Sequence, residues 1–227
     1  MIKHRKLNAF VQTTLAVLLS SVLFGQSAAS GPEPLRQVHG QTIISNELPA
    51  ADLTFGKEFR YLGGQRVNLY GMADAEQHLF VKGGVNGVID AFYWVQFEHR
   101  VPGDHHTYNY PPDHTTEIGG LNFIYDVKSW PTYADMQIED PGSDGAAISR
   151  LLAHHHLAFP QQAARVRMFH LPTPDRRVEL MIIYGEAIPD GSPIPIGNLG
   201  TVLDKDAPDV ACLLLDHAKR DLSIQKQ

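Results

Sequence analysis

The sequence predicts an α+β fold: an antiparallel β-sheet of about six to eight strands, with room to curve strongly, and two main helices packed on it. Three observations carry this. Short stretches rich in aromatic and β-branched residues recur from Phe55 to Ile188, separated by clusters of Gly, Pro, Asn and Asp. The turns between them are short, and short turns join only antiparallel neighbours, because parallel strands need a crossover of a dozen or more residues. Two segments alone carry helix start signals: Ser143, a natural N-cap, and Pro208, suited to a first turn.

The chain opens with Lys3, His4, Arg5 and Lys6, followed by a mainly apolar run from Leu15 to Phe24 and then Gln26-Ser27-Ala28-Ala29-Ser30. This is the pattern of a secretory signal peptide over residues 1–29, cleaved near Ala29. The apolar run is shorter than the ~20 residues that span a bilayer core, so membrane insertion is not expected. The expected address is the bacterial periplasm or exterior, as a soluble protein of undetermined oligomeric state. Cleavage removes three of the 19 Lys and Arg and none of the 25 Asp and Glu, which takes the formal charge from -6 to -9. An acidic chain without a basic cluster argues against nucleic acid and anionic membranes as partners. With Cys212 as the single cysteine, an intrachain disulfide is excluded even in an oxidising compartment.

Residues 30–54 show no sustained periodicity and read as a partly disordered lead-in. Residues 55–222 read as one globular α+β domain. In order, residues 58–62 and 65–70 flank Gly63-Gly64, a candidate two-residue hairpin turn. Residues 76–82 form a short strand, and Asn86-Gly87 marks the turn into the strongest strand, 88–99. In that strand Ala91, Tyr93, Val95 and Phe97 share one face and Phe92, Trp94, Gln96 and Glu98 the other, so both faces are apolar as far as Gln96. Such a strand is covered on both sides. Residues 121–130 follow Gly119-Gly120 as a strand, and 164–171 with 177–188 form a hairpin around Pro172-Thr173-Pro174-Asp175. The helices run from Ser143 to about His156 and from Pro208 to Arg220, and the Pro- and Gly-rich stretch 188–207 reads as a surface loop.

The functional reading centres on residues 99–117, HRVPGDHHTYNYPPDHTTE. Zn²⁺ asks for three or four converging His, Cys or carboxylate ligands, and His99, His106 and His114, with His155 from the first helix, are the metal candidates. Their spacing matches no metal signature, and in an extended chain adjacent residues such as His105 and His106 diverge. Alternation instead aligns His106, Tyr108 and Tyr110, a polar-aromatic row that would wall a cavity if it faced inward. His154-His155-His156 fan around a helix and cannot grip one ion together, while His155 extends the apolar stripe of Ile148 and Leu151 and is expected half-buried. Glu139 to Gly145 superficially resembles a calcium loop, but its twelfth position is Leu151, which supplies no carboxylate.

Glu98, near the end of a strand buried on both faces, needs a cationic or hydrogen-bonding partner, and Arg165, Arg167 and Arg177 on the late hairpin are the natural candidates. The chain holds no G-x-S-x-G, P-loop, G-x-G-x-x-G, H-E-x-x-H or C-x-x-C motif. Together these features lead to an exported small-ligand-binding module whose pocket candidates are Glu98, His106, Tyr108, Tyr110, Arg165 and Arg167. The alternatives are a histidine/carboxylate metal-binding protein or metal-dependent enzyme, and a pocketless interaction protein. No cofactor is evident, and a divalent metal is the one the histidines would serve.

Overall fold

A computed structural model describes residues 32–130, 140–189 and 203–227. The expected signal peptide and most of the stretch 188–207 lie outside these residues. Among the described residues the fold is mostly β, with eleven strands in two antiparallel sheets and two main helices. The first sheet has the order β1-β2-β3-β11, built from β1 (Gln37–His39), β2 (Thr42–Ser45), β3 (Ala51–Phe55) and β11 (Leu222–Lys226). The second contains β4 (Arg60–Leu69), β5 (Ala73–Gly83), β6 (Ile89–Arg100), β7 (Thr115–Ile118), β8 (Leu121–Trp130), β9 (Ala163–His170) and β10 (Val178–Ala187). Its order is β4-β5-β6-β10-β9-β8-β7, so two meanders meet where β10 pairs with β6.

The expected single curved sheet is therefore corrected. Seven strands form one open sheet that is not strongly curved, and four more form a second layer. The second layer is built largely from residues 37–55, whose strands are too short for a periodicity to register in the sequence. They are held by burial of alternate residues: Ile43, Ala51, Leu53 and Phe55 pack against the large sheet.

Strand β6 explains the layering. Its odd face, Ala91, Tyr93, Val95 and Phe97, packs with the small sheet and with Ala211, Leu214 and Ala218 of helix α3 (Pro208–Arg220). Its even face, Phe92 and Trp94, packs with Ile148, Leu151 and Leu152 of helix α1 (Asp144–His154). A single helical turn, α2 (Leu203–Asp206), precedes α3. On α3, Leu213 is 53% exposed, and Leu214 faces the core with the small residues Ala211 and Ala218, which allow close approach.

Helix α1 starts as expected, with the Ser143 Oγ accepting from the Ala146 amide at 3.1 Å. It ends one residue earlier than its apolar stripe suggests. His155 is the C-cap and is exposed, because helical periodicity stops there and His156 turns to a positive φ of 57°.

The turn expected at Gly63-Gly64 is also corrected. Both glycines lie within β4, at a shift of register between Tyr61 and Gly63. A Cβ on Gly64 would come within 2.8 Å of the Gln77 carbonyl oxygen, so close strand approach, not chain reversal, requires glycine there. The chain reverses at Tyr70-Gly71, both at positive φ (55° and 72°), closed by the Met72 amide on the Leu69 carbonyl at 2.9 Å.

Candidate functional site

Antiparallel register places Glu179 of β10 directly opposite Glu98 of β6, on the face that also carries α1. Directly opposed side chains have Cβ atoms about 4.5–5.5 Å apart, so the two carboxyl groups are immediate neighbours. Both are buried. The Tyr108 hydroxyl donates to one oxygen of Glu98 at 2.6 Å, and the Gln96 amide donates to the other at 2.7 Å. The Tyr110 hydroxyl donates to the Glu179 Oε2 at 2.5 Å.

The two tyrosines come from the histidine-rich segment, and the late hairpin sets them in place. The Tyr108 amide donates to the Arg176 carbonyl at 2.9 Å, and the Arg176 guanidinium returns a bond to the Tyr108 carbonyl at 2.7 Å. Arg177 reaches the carbonyls of Asp104 and Val101. The ring of Tyr110 then stacks on Phe169 of β9, with centroids 3.9 Å apart and planes at 10°.

A ladder of amides supports Glu98 from the other side. Gln65, Gln77 and Gln96 are successive cross-strand partners on β4, β5 and β6. The Gln65 amide donates to Gln77 at 2.8 Å and the Gln77 amide to Gln96 at 2.9 Å, so each buried amide is satisfied by the next. Gln77 also donates to the backbone carbonyl of Asp144, and Gln96 bonds the Asp144 carboxylate, which ties the ladder to the start of α1.

These groups open on a cavity of about 430 Å³. Glu98, Glu179, Tyr108, Tyr110, Gln96 and Asp144 form its polar wall, and Leu69, Met72, Phe169 and Met181 its apolar one. At the mouth, the Tyr70 hydroxyl donates to Asp140. Burial raises the pKa of Glu98, Glu179 and Asp144 alike. For Glu179, burial and the neighbouring Glu98 outweigh the Tyr110 hydrogen bond and push it up to about 8. Tyr108 and Tyr110 are raised too, by burial and by the carboxylates they bond.

Of the pocket candidates, Glu98, Tyr108, Tyr110 and Arg167 line this cavity. Arg167 makes a two-point ion pair with Asp126 of β8. Arg165 is buried on the same strand face and acts on Asp144 through space, outside the cavity lining. His106 departs from the row with Tyr108 and Tyr110: its side chain is 75% exposed and pairs with Asp104 at 2.5 Å. The cause is the turn at Pro102-Gly103, where Asp104 bonds both the amide and the ring of His106 and holds that residue out of the extended alternation. Glu98 finds tyrosine and glutamine partners in place of the arginines expected for it.

Among the described residues no three His, Cys, Asp or Glu side chains gather to hold a metal ion. His99 and His155 are exposed, and His114 lies against Tyr125 with centroids 5.5 Å apart. Helix α1 meets the cavity with Ser143 and Asp144, at the opposite end from its three histidines. Among the described residues no helix is long and apolar enough to cross a membrane.

A larger cavity of about 620 Å³ opens on the other face of the sheet, between Leu35, Leu48, Val67, Phe97 and Val178. Glu98 reaches its lining as well, already held by Tyr108 and Gln96, and Arg36 and Glu76 are spent on one another: Arg36 bonds Glu76 at 3.0 Å and stacks over Phe97 at 3.6 Å. Convergent polar groups facing open space, the mark of a specific small-molecule site, belong to the smaller cavity. Comparison with family models, curated proteins and solved structures gives no match to this chain.

Proposed function

We propose that the protein is an exported module that binds a small organic ligand in the 430 Å³ cavity between β6, β9, β10, the 104–110 loop and the start of α1. The observation that carries this reading is the inward turn of Tyr108 and Tyr110 onto the two opposed carboxyl groups at the cavity wall. Two glutamates in mutual contact are a costly arrangement for a strand interior, and a cavity beside them gives the arrangement a use. The wall divides into one hydrogen-bonding side and one apolar side, as small-molecule sites do. Export rests on the N-terminal leader pattern.

The test is a fragment screen by thermal shift and ligand-observed NMR, repeated on Met72→Trp. Met72 lines the cavity and is 39% exposed, so an indole there fills the mouth without entering the core. Fragments that stabilise the wild type are expected to lose binding in Met72→Trp. A screen without binders at millimolar concentration, or binders indifferent to that substitution, overturns the reading.

A further inference from the structure

The cavity is rich in carboxyl groups and poor in available cations. Glu98, Glu179, Asp144 and Asp140 all line it, against Arg100 and Arg167. Both arginines are engaged by carboxylates outside the lining. Arg167 takes Asp126 at two points, and Arg100 lies 3.5 Å from Asp104 with its guanidinium over the Tyr108 ring. Among the described residues no Lys, Arg or His forms a salt bridge with Glu98 or Glu179. Residues 131–139 and 190–202 contain no Lys, Arg or His.

Two atoms in this wall are left open among the described residues, the Nε of Arg100, a buried donor without a partner, and one oxygen of Glu179. Glu98 has a donor on each oxygen, whereas Glu179, only 2% exposed, has a donor on Oε2 alone. Among the described residues none donates to its Oε1, on a side chain that lines the cavity. An acceptor that opens on the cavity and has no donor from the protein is placed to take one from a ligand.

Resting on the reading of this cavity as a ligand site, we propose that its ligand is a small organic cation, an ammonium group on an apolar body, seated against Glu179 beside Glu98. An ammonium supplies three donors and a full positive charge, and its approach displaces the proton that burial favours on Glu179. A carboxylate or phosphate ligand would instead face four acidic groups, with Arg167 committed to Asp126 and a single Arg100 N–H to set against them. A bare metal ion would need three converging ligands, which the described residues do not gather. The apolar body has a place as well, against Phe169, Met181 and Leu69 and under the ring of Tyr110.

The test uses three matched probes, phenethylamine, 2-phenylethanol and 3-phenylpropanoate, titrated into the full-length mature protein by calorimetry, and into Glu179→Gln and Glu98→Gln. The amine is expected to bind the wild type roughly tenfold tighter than the alcohol, and the carboxylate weakest, the scale of a charge-assisted hydrogen bond over a neutral one. In Glu179→Gln the preference for the amine is expected to collapse while the alcohol keeps its affinity, which a merely misfolded variant would not do. Glu98→Gln serves as the second variant if Glu179→Gln does not fold.

An alcohol or carboxylate that matches the amine on the wild type overturns the cation. So does a preference for the amine that survives both substitutions, and so does failure of all three probes. If those probes fail while other fragments bind in a way that Met72→Trp abolishes, the cation falls and the ligand site stands. If nothing binds, both fall.

Discussion

Glu98 on β6 and Glu179 on β10 stand directly opposite each other, and each accepts a hydroxyl from a different tyrosine of the same loop. Their environments differ in one donor, which separates their chemistry: Glu98 is held on both oxygens, Glu179 on one. A pair of titratable groups set apart in this way shares its protons as a unit.

That pairing fixes a pH dependence. Glu179 is pushed from an ordinary 4.5 up to about 8, so the folded protein holds a proton that the unfolded chain has released. The stabilisation this gives is full below pH ~4.5 and is lost as the pH rises through about 8. The wild type is therefore expected to melt several degrees lower at pH 9 than at pH 5, a shift on the scale of about 1–2 kcal/mol for a chain of this size. Glu179→Gln cannot ionise and should lose less over the same range. Parallel melting curves for the two proteins from pH 5 to 9 would show that the carboxyl group is not protonated in the folded state.

Tyr108→Phe tests the other half of the pair. It removes the donor from Glu98 Oε1 and leaves a buried carboxyl oxygen unsatisfied, a loss of about 1–3 kcal/mol. Tyr110→Phe also removes a donor, but the ring keeps its stack on Phe169 and Glu179, whose carboxyl is pushed up to about 8 and stays protonated at pH 7, is the less costly of the two to leave without it. Urea denaturation at pH 7 is expected to rank Tyr108→Phe as the less stable of the two. Equal losses would mean that the two hydroxyls are equivalently buried.

How far this site was legible in the sequence follows from what each interaction depends on. Alternation along one strand depends only on neighbours in the chain, so the two faces of 88–99 and the position of Glu98 could be read directly. The inward turn of Tyr108 and Tyr110 could be posed only as a question, because it depends on Arg176 and Arg177 across the fold. The partner Glu179 required the register between β6 and β10, a one-residue slip of which would have sent it to the other face. The glutamine ladder needed two registers at once, and three glutamines on consecutive strands are the one signal by which it could have been found. Strands as short as β1 and β2 carry too few residues for any period, and so the second sheet went unseen.

The second sheet is fastened to the first by Arg36, and that contact governs the acid side of the stability curve. Burial by itself would raise Glu76, but hydrogen bonds from His78 and from the amide and guanidinium of Arg36 outweigh it and hold the carboxyl down at about 2. A group lowered in this way contributes stability that is present above pH ~4.5 and is lost as the pH falls through about 2. Arg36→Met leaves Glu76 buried with His78 and the amide of residue 36 but without the guanidinium, and is expected to cost about 3–5 kcal/mol at pH 7. The same variant should lose less further stability between pH 4.5 and 2 than the wild type does. Circular dichroism during acid titration checks both, and a neutral effect at pH 7 would mean that the lead-in strands do not depend on this ion pair.

Gly185 lies opposite Phe92 across β10 and β6, and the ring of Phe92 occupies the space a side chain on Gly185 would fill. A Cβ there would stand 2.4 Å from the Phe92 ring, far inside van der Waals contact. The ring has no easy retreat, because it is fully buried and meets Phe159 edge-on at a centroid distance of 4.8 Å. Gly185→Ala is therefore expected to destabilise by about 1–3 kcal/mol or more through overpacking, although alanine suits a strand better than glycine does. The cause can be isolated by shrinking the ring. In a Phe92→Leu background the same Gly185→Ala step should cost much less, giving a coupling of at least ~1 kcal/mol in a double-mutant cycle. Additive losses would place the requirement for glycine in the backbone of β10 and not in its contact with Phe92.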